Sequence, residues 1–210
     1  LFVPFALHDQ ARYWGIARDR FKALGIEVDR LEEGPVAAAA VEQAGGIFVG
    51  GGNTFRLLDR LQRTGALEPI RMRALGGMPY MGSSAGTVVA APTLKTTNDM
   101  PIVQPASFDA LGLVPFQINP HYLDPDPSSR HMGETREQRI AEFLEENDRA
   151  VLGLREGGML HVDSSPGAGA ANGAIRIRLS GATARVFRRG ADPVEAAPGD
   201  RLEELLLPRG

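Results

Sequence analysis

Residues 79–92 read PYMGSSAGTVVAAP, and the reading of Ser84 in the middle decides what surrounds it. MPYMGS has the character of a short strand and AGTVVAA that of a small-residue helix. Gly82-Ser83-Ser84-Ala85-Gly86 joins them as Gly-x-Ser-x-Gly. Between a strand and a helix this pattern is a nucleophile elbow. The serine sits on a sharp, strained turn, flanking glycines relieve the crowding, and the helix start behind it offers amides to a developing oxyanion. The same five residues also suit a tight turn without chemistry, so the surroundings must decide.

Upstream, LFVPFA reads as a buried strand and residues 9–24 as a helix stopped by Gly25. IEVDRL is a candidate strand, VAAAAVEQA a helix, and GIFVG a strand that runs into Gly50, Gly51 and Gly52; two helices fill 53–75. Downstream, PFQINP and RAVLGL are strands on either side of the helix TREQRIAEFLEEN. Strand and helix alternate through the first 150 residues, which implies a parallel sheet covered on both faces. After Glu156 the pattern changes to short alternating strands, GMLHVDS, AIRIRLS and ARVFRRG, an antiparallel extension. The tail from Asp192 is Pro-rich with a short amphipathic end. No linker or repeat interrupts residues 1–210, so the expectation is one α/β domain.

Composition narrows the function. The 210 residues are 43% apolar and 23% charged, ordinary for a globular chain with a sizeable core. A net charge of −3 with no basic block argues against nucleic acid as a partner. The chain has no cysteine, which excludes disulfides and thiolate catalysis. No apolar run approaches the roughly 18–20 residues of a membrane-spanning helix, so a membrane partner is not expected.

In open parallel sheets, ligands bind beyond the carboxyl ends of the strands. Ser84, the glycines 50–52, His121 and Glu156 each follow a different predicted strand, so a hydroxyl, backbone amides, an imidazole and a carboxylate are expected on one rim. A nucleophilic serine needs a base. His121 in INPHY is favoured, stiffened by Pro120 at a strand end. His8 follows the first strand, His131 sits in a polar loop, and His161 lies inside an alternating strand. For the orienting acid two candidates stay open: Glu156 ends a strand, and Asp99 in TTNDMP gives the chain order Ser-Asp-His.

GGGNTFRLL at 50–58 lacks the signatures of a phosphate or dinucleotide loop. Asn53 or Thr54 suits a helix N-cap, and the Gly52 amide is a candidate oxyanion donor opposite the Ala85 amide. In GETREQRI, residues 133–140, Thr135 and Gln138 form a capping-box pattern. Arg136 does not fit a cap, because a cation in the first turn opposes the helix dipole. Bidentate binding of a substrate carboxylate would explain it. Asn53 and Asn98 join Arg136 as candidate substrate-binding residues.

Together GGGNTFRLL, GSSAG, PTLKTTNDMPIV, FDALGLVPFQINPHY, GETREQRI and GLREGG resemble peptidase E, the aspartyl dipeptidase family of serine peptidases. The pieces run in family order and cover most of residues 45–160. The resemblance implies a flavodoxin-like three-layer fold related to class I glutamine amidotransferases, with a mostly parallel sheet. It implies Ser84 as nucleophile and His121 as base, with both Asp99 and Glu156 at positions proposed for the acid. It also implies that Arg136 holds the side chain of a substrate's N-terminal aspartate. Relatives begin with a further strand and helix, so the expectation is that such a piece precedes residue 1. Ser83 stands where many relatives carry an aromatic residue, and the loop 123–132 diverges.

The expected function is therefore a cytoplasmic serine dipeptidase for Asp-X substrates, with small peptides and a second copy as partners and no metal or cofactor. The rival readings are a cyanophycinase-like hydrolase of aspartate-containing peptides and a non-catalytic flavodoxin-like ligand-binding module.

Overall fold

The strands around the glycine-rich turns are short and parallel. The computed structural model describes residues 1–125, 128, 133–164 and 175–208, which gather into two units, Leu1–Leu113 and Val114–Gly210. In the first unit β1 (Phe2–Val3), β2 (Ile47–Val49) and β3 (Tyr80–Gly82) form a parallel sheet in the order β1–β2–β3. Phe2 lies opposite Phe48 and Val49 opposite Gly82. Val3, Val49, Leu57, Leu58, Leu61, Ile70, Val88 and Val89 share its core. Each such side chain contributes at most about 1.5–3 kcal/mol by leaving water.

The helices of this unit start and stop where their ends are chemically satisfied. In α1 (Gln10–Ala23), the Asp9 side chain accepts from the Arg12 amide at the start. Gly25, at φ 75°, closes the other end: its amide donates to Lys22 O, and the Ile26 amide to Phe21 O, both at 3.0 Å. Next come α2 (Ala37–Gln43), α3 (Thr54–Arg63), α4 (Leu67–Leu75) and α5 (Ala85–Ala90). The run IEVDRL does not become a regular strand. It touches β1 through a single parallel bridge, Phe2 to Arg30, with Leu31 N–H donating to Phe2 O at 2.8 Å. Leu31 is the one residue of that run to be buried, so the segment has little apolar surface to hold it in a ladder.

The second unit carries β4 (Gln117–Pro120), α6 (Arg136–Glu146), β5 (Val151–Leu154), β6 (Met159–Asp163), β7 (Arg176–Ser180), β8 (Ala184–Phe187), β9 (Val194–Ala196) and α7 (Glu203–Leu206). One sheet has the order β4–β5–β8–β9. Its β4 and β5 are parallel, with Pro120 opposite Leu154, while β8 and β9 add antiparallel. Strands β6 and β7 pair as a separate antiparallel ribbon. The expected change after Glu156 from parallel to antiparallel pairing is what the register gives. The fold is α/β with mixed sheets. Among the described residues no helix is long and apolar enough to cross a membrane.

Candidate active site

Ser84 lies between β3 and α5 at φ 52°, ψ −109°, outside the regions a serine ordinarily occupies. The glycines around it are required by close approach. A Cβ on Gly82 would land on the Gly86 carbonyl, and one on Gly86 would land on the Val49 carbonyl. Cross-bonds hold the turn: Ser83 N–H donates to Val49 O at 3.0 Å, and Thr87 Oγ1 donates to Gly82 O at 2.9 Å. The Tyr80 hydroxyl donates to Gly86 O at 2.6 Å, and burial pushes its ionisation far up, so it remains a donor. Strain at Ser84 is thus fixed from the strand and the helix together.

The glycine loop lies against this turn, since a Cβ on Gly51 would come within 2.9 Å of Ser84 Cβ. Its amides are fastened one by one. Gly50 donates to Val3 O at 3.1 Å, Gly51 to the Tyr13 hydroxyl at 2.8 Å, Asn53 to Ala6 O at 3.1 Å and Thr54 to Asp99 Oδ2 at 2.7 Å. The Gly52 amide alone in this run has no acceptor among the described residues. Ala85 opens α5, so its amide is one of the first donors of a helix, which have no acceptor inside it.

Asp99 serves this loop. Its Oδ2 accepts from the amide and hydroxyl of Thr54, at 2.7 and 2.6 Å, and from Thr97 Oγ1 at 3.2 Å. A carboxylate at the first turn of α3 is also favoured by the helix dipole. Asn53 is the N-cap, its side chain accepting from Arg56 N–H at 3.0 Å while Nδ2 donates to Met100 O at 2.9 Å. Asn98 sits beside Asp99, partly buried.

In the second unit His121 follows β4 at φ 55°. Among the described residues, Ser84 and His121 are the two non-glycine residues with positive φ. The His121 Nδ1 faces Glu156 Oε1 across a short contact, the two side chains being 49% and 73% exposed. An Nδ1–H donated to that carboxylate leaves Nε2 with its lone pair, the tautomer a general base needs, in an imidazole that a substrate can reach. The next residue anchors the strand end: Tyr122 N–H donates to Leu154 O at 3.1 Å. The Tyr122 ring is buried over Gly153, where a Cβ would meet it at 2.8 Å.

Arg136 is the first residue of α6, partly buried, and the expected capping box is present. Thr135 N–H donates to Gln138 Oε1 at 2.7 Å and Gln138 N–H to Thr135 Oγ1 at 3.1 Å. His8 is exposed in the loop after β1, and His161 lies in β6 opposite Arg178. His131 and most of the divergent loop 123–132 lie outside the described residues. Two supporting groups escaped the sequence reading. Tyr13 lies in the stretch read as a helix and Tyr80 in the one read as a strand; neither hydroxyl carries a local signal of its acceptor or donor.

Known proteins resemble this chain in sequence and in fold. The chain is 56% identical to "Peptidase E" of Streptomyces coelicolor over 210 residues, covering all of this chain and 82% of that protein. It is 47% identical to the "Probable alpha-aspartyl dipeptidase" of Drosophila melanogaster over 207 residues, 98% of this chain and 82% of that one. The crystal structure of a peptidase from an acI-B1 Actinobacterium superposes with a TM-score of 0.59 at 17% identity, covering 95% and 81% of the two chains, a likeness of fold alone. The profile of Peptidase family S51 matches residues 1–167, and the chain belongs to that family.

Proposed function

We propose that this chain is a serine dipeptidase that hydrolyses dipeptides with an N-terminal aspartate. One observation carries the reading: in a chain of family S51, the two strained non-glycine residues among those described are a serine and a histidine, each at the end of a parallel strand. The names of the relatives, peptidase E and alpha-aspartyl dipeptidase, supply the substrate class.

In this reading His121 Nε2 takes the proton of Ser84 Oγ as the oxygen attacks the peptide carbonyl. The Gly52 and Ala85 amides hold the oxyanion. Protonated His121 gives its proton to the leaving amine, and a water activated by the same imidazole then cleaves the acyl-enzyme. Glu156 is the orienting acid, supported by its contact with His121 Nδ1. Asp99 holds the oxyanion loop through Thr54 instead. Arg136 forks the aspartate side chain of the substrate, and Asn53 and Asn98 are further substrate-binding residues in this reading. A flavodoxin-like three-layer fold acting as one peptidase domain belongs to the same reading. So do a cytoplasmic setting and a homodimer, with no nucleic acid or membrane partner.

Three peptides test it: Asp-Leu, acetyl-Asp-Leu and Ala-Leu, each with wild type and Ser84→Ala. Cleavage of Asp-Leu alone, lost in the variant, is the expected result. Cleavage of acetyl-Asp-Leu would instead favour a hydrolase of longer aspartate-containing peptides, and cleavage of none would remove the dipeptidase assignment.

A further inference from the structure

Next to the His121–Glu156 pair lies a guanidinium that the mechanism leaves without a role. Arg155 directly precedes Glu156, and its five N–H groups all donate. Nε and Nη2 reach Asp124 Oδ2 and Oδ1 at 2.9 and 2.6 Å. Nη1 and Nη2 reach Glu195 Oε2 and Oε1 at 2.9 and 3.0 Å, and Nη1 reaches Thr183 Oγ1 at 2.9 Å. The guanidinium also lies 5.4 Å from the centre of the Tyr122 ring. One side chain thus ties the segment after His121, through Asp124, to the end of β5 and to Glu195 on β9.

The strength of this cluster is out of proportion to what it does for folding. The carboxylates of Asp124 and Glu195 are 50% and 54% exposed, and ion pairs in such settings add little to stability. Their geometric effect is larger. His121 sits at positive φ, a conformation that persists only where the neighbouring chain over-determines it. Before it, Pro120 is fixed in the β4–β5 ladder. After it, Leu123 is 63% exposed, so the side chains that anchor this segment are the Tyr122 ring and the Asp124 carboxylate. Glu156, the other member of the pair, follows Arg155 with nothing between them. A planar fork with two carboxylates in fixed directions sets orientation in a way that a flexible ammonium does not.

We propose that Arg155 is a positioning residue for the His121–Glu156 pair: by forking Asp124 and Glu195 it fixes the chain on both sides of the pair and so the direction of the imidazole. The inference rests on His121 acting as the base in dipeptide hydrolysis. It goes beyond that reading in giving Arg155 and Asp124 a part in turnover although neither touches substrate.

The test compares Arg155→Lys, Asp124→Asn and the double variant, each checked for native circular dichroism. Misplacing a catalytic group by about 1 Å costs on the order of 10²-fold in rate. Arg155→Lys should therefore lower kcat for Asp-Leu about that much with KM little changed. Asp124→Asn should lower it less, and the double variant should be no slower than Arg155→Lys, because Asp124 acts through the Arg155 fork that Arg155→Lys already removes. A second readout needs no substrate: the downfield proton resonance of His121 Nδ1–H, assigned by its loss in His121→Asn, should be present in wild type and absent in Arg155→Lys. Retained kcat and resonance in folded Arg155→Lys would overturn the proposal, even with a lowered melting temperature. So would a loss confined to KM, or losses that multiply in the double variant. A wild type that leaves Asp-Leu intact would remove the dipeptidase reading, while the resonance still decides whether Arg155 holds the pair.

Discussion

Replacing Ser84 and Ser83 separately makes the sharpest contrast between two adjacent residues. Ser84 takes the strained backbone, whereas Ser83 uses its amide on Val49 O. Ser84→Ala should lower turnover by several orders of magnitude, on the order of the ~10⁶ lost with a triad serine. Ser83→Ala should have a small effect, and equal losses would mean that the nucleophile is misassigned. The two acids separate in the same way. Glu156 faces His121, so Glu156→Gln should cost roughly 10⁴ in kcat, the scale of a lost orienting carboxylate. Asp99 acts on Thr54, at the end of the loop that holds Gly52. Asp99→Asn still presents one acceptor, so its loss should be smaller, roughly the 10²–10³ of a weakened oxyanion donor. Kinetics of both variants on Asp-Leu decide; a larger loss from Asp99→Asn than from Glu156→Gln would reverse the two roles.

Helix ends were legible in the sequence because their signals are local. Gly25, Asn53 and the Thr135–Gln138 box each stop or start a helix through bonds to residues within a few positions. The segment 26–31 was not legible, since a β propensity means little where only Leu31 is buried. The choice between Asp99 and Glu156 was open for a related reason: Asp99 meets Thr54 across 45 positions and His121 meets Glu156 across 35, distances over which no periodicity speaks. Helix α6 shows what a local signal leaves over. Its capping box accounts for Thr135 and Gln138, and the sequence reading assigned Arg136 to the substrate because a cation is disfavoured there. A substrate carboxylate entering a cleft loses water at a cost that a bidentate arginine offsets. Lysine lacks the planar fork, so Arg136→Lys should lower kcat/KM mainly for Asp-Leu and leave the slower Asn-Leu nearly unchanged. An unchanged ratio between the two substrates, measured on folded protein, would take Arg136 out of specificity.

For the whole molecule, acid pH separates a local electrostatic contribution from a global one. The chain carries 26 Asp and Glu against 23 Lys and Arg, so protonating the carboxylates leaves a large positive charge that favours unfolding in any variant. Asp124 adds a local part. The hydrogen bonds from Arg155 hold its carboxyl below the ordinary value of 3.8, with burial opposing and the charges of Arg155 and Arg185 reinforcing. The sign follows from the direction of that shift. Above pH 3.8 the carboxylate is charged in both folded and unfolded chains, and the folded state has the full benefit of the pair. As pH falls below 3.8 the unfolded chain takes up the proton first, so stability declines until the folded carboxyl titrates too. Because Asp124 is half exposed, the benefit is at most about 1 kcal/mol. Asp124→Asn should therefore be slightly less stable than wild type at pH 7, and the gap should close below pH 3.8 while both proteins lose stability together from the global charge. Urea midpoints of the two proteins at pH 7, 5, 3.5 and 2.5 measure this. A gap that stays constant across that series would mean that the carboxylate at 124 contributes through packing, with no electrostatic share in holding the chain beside His121.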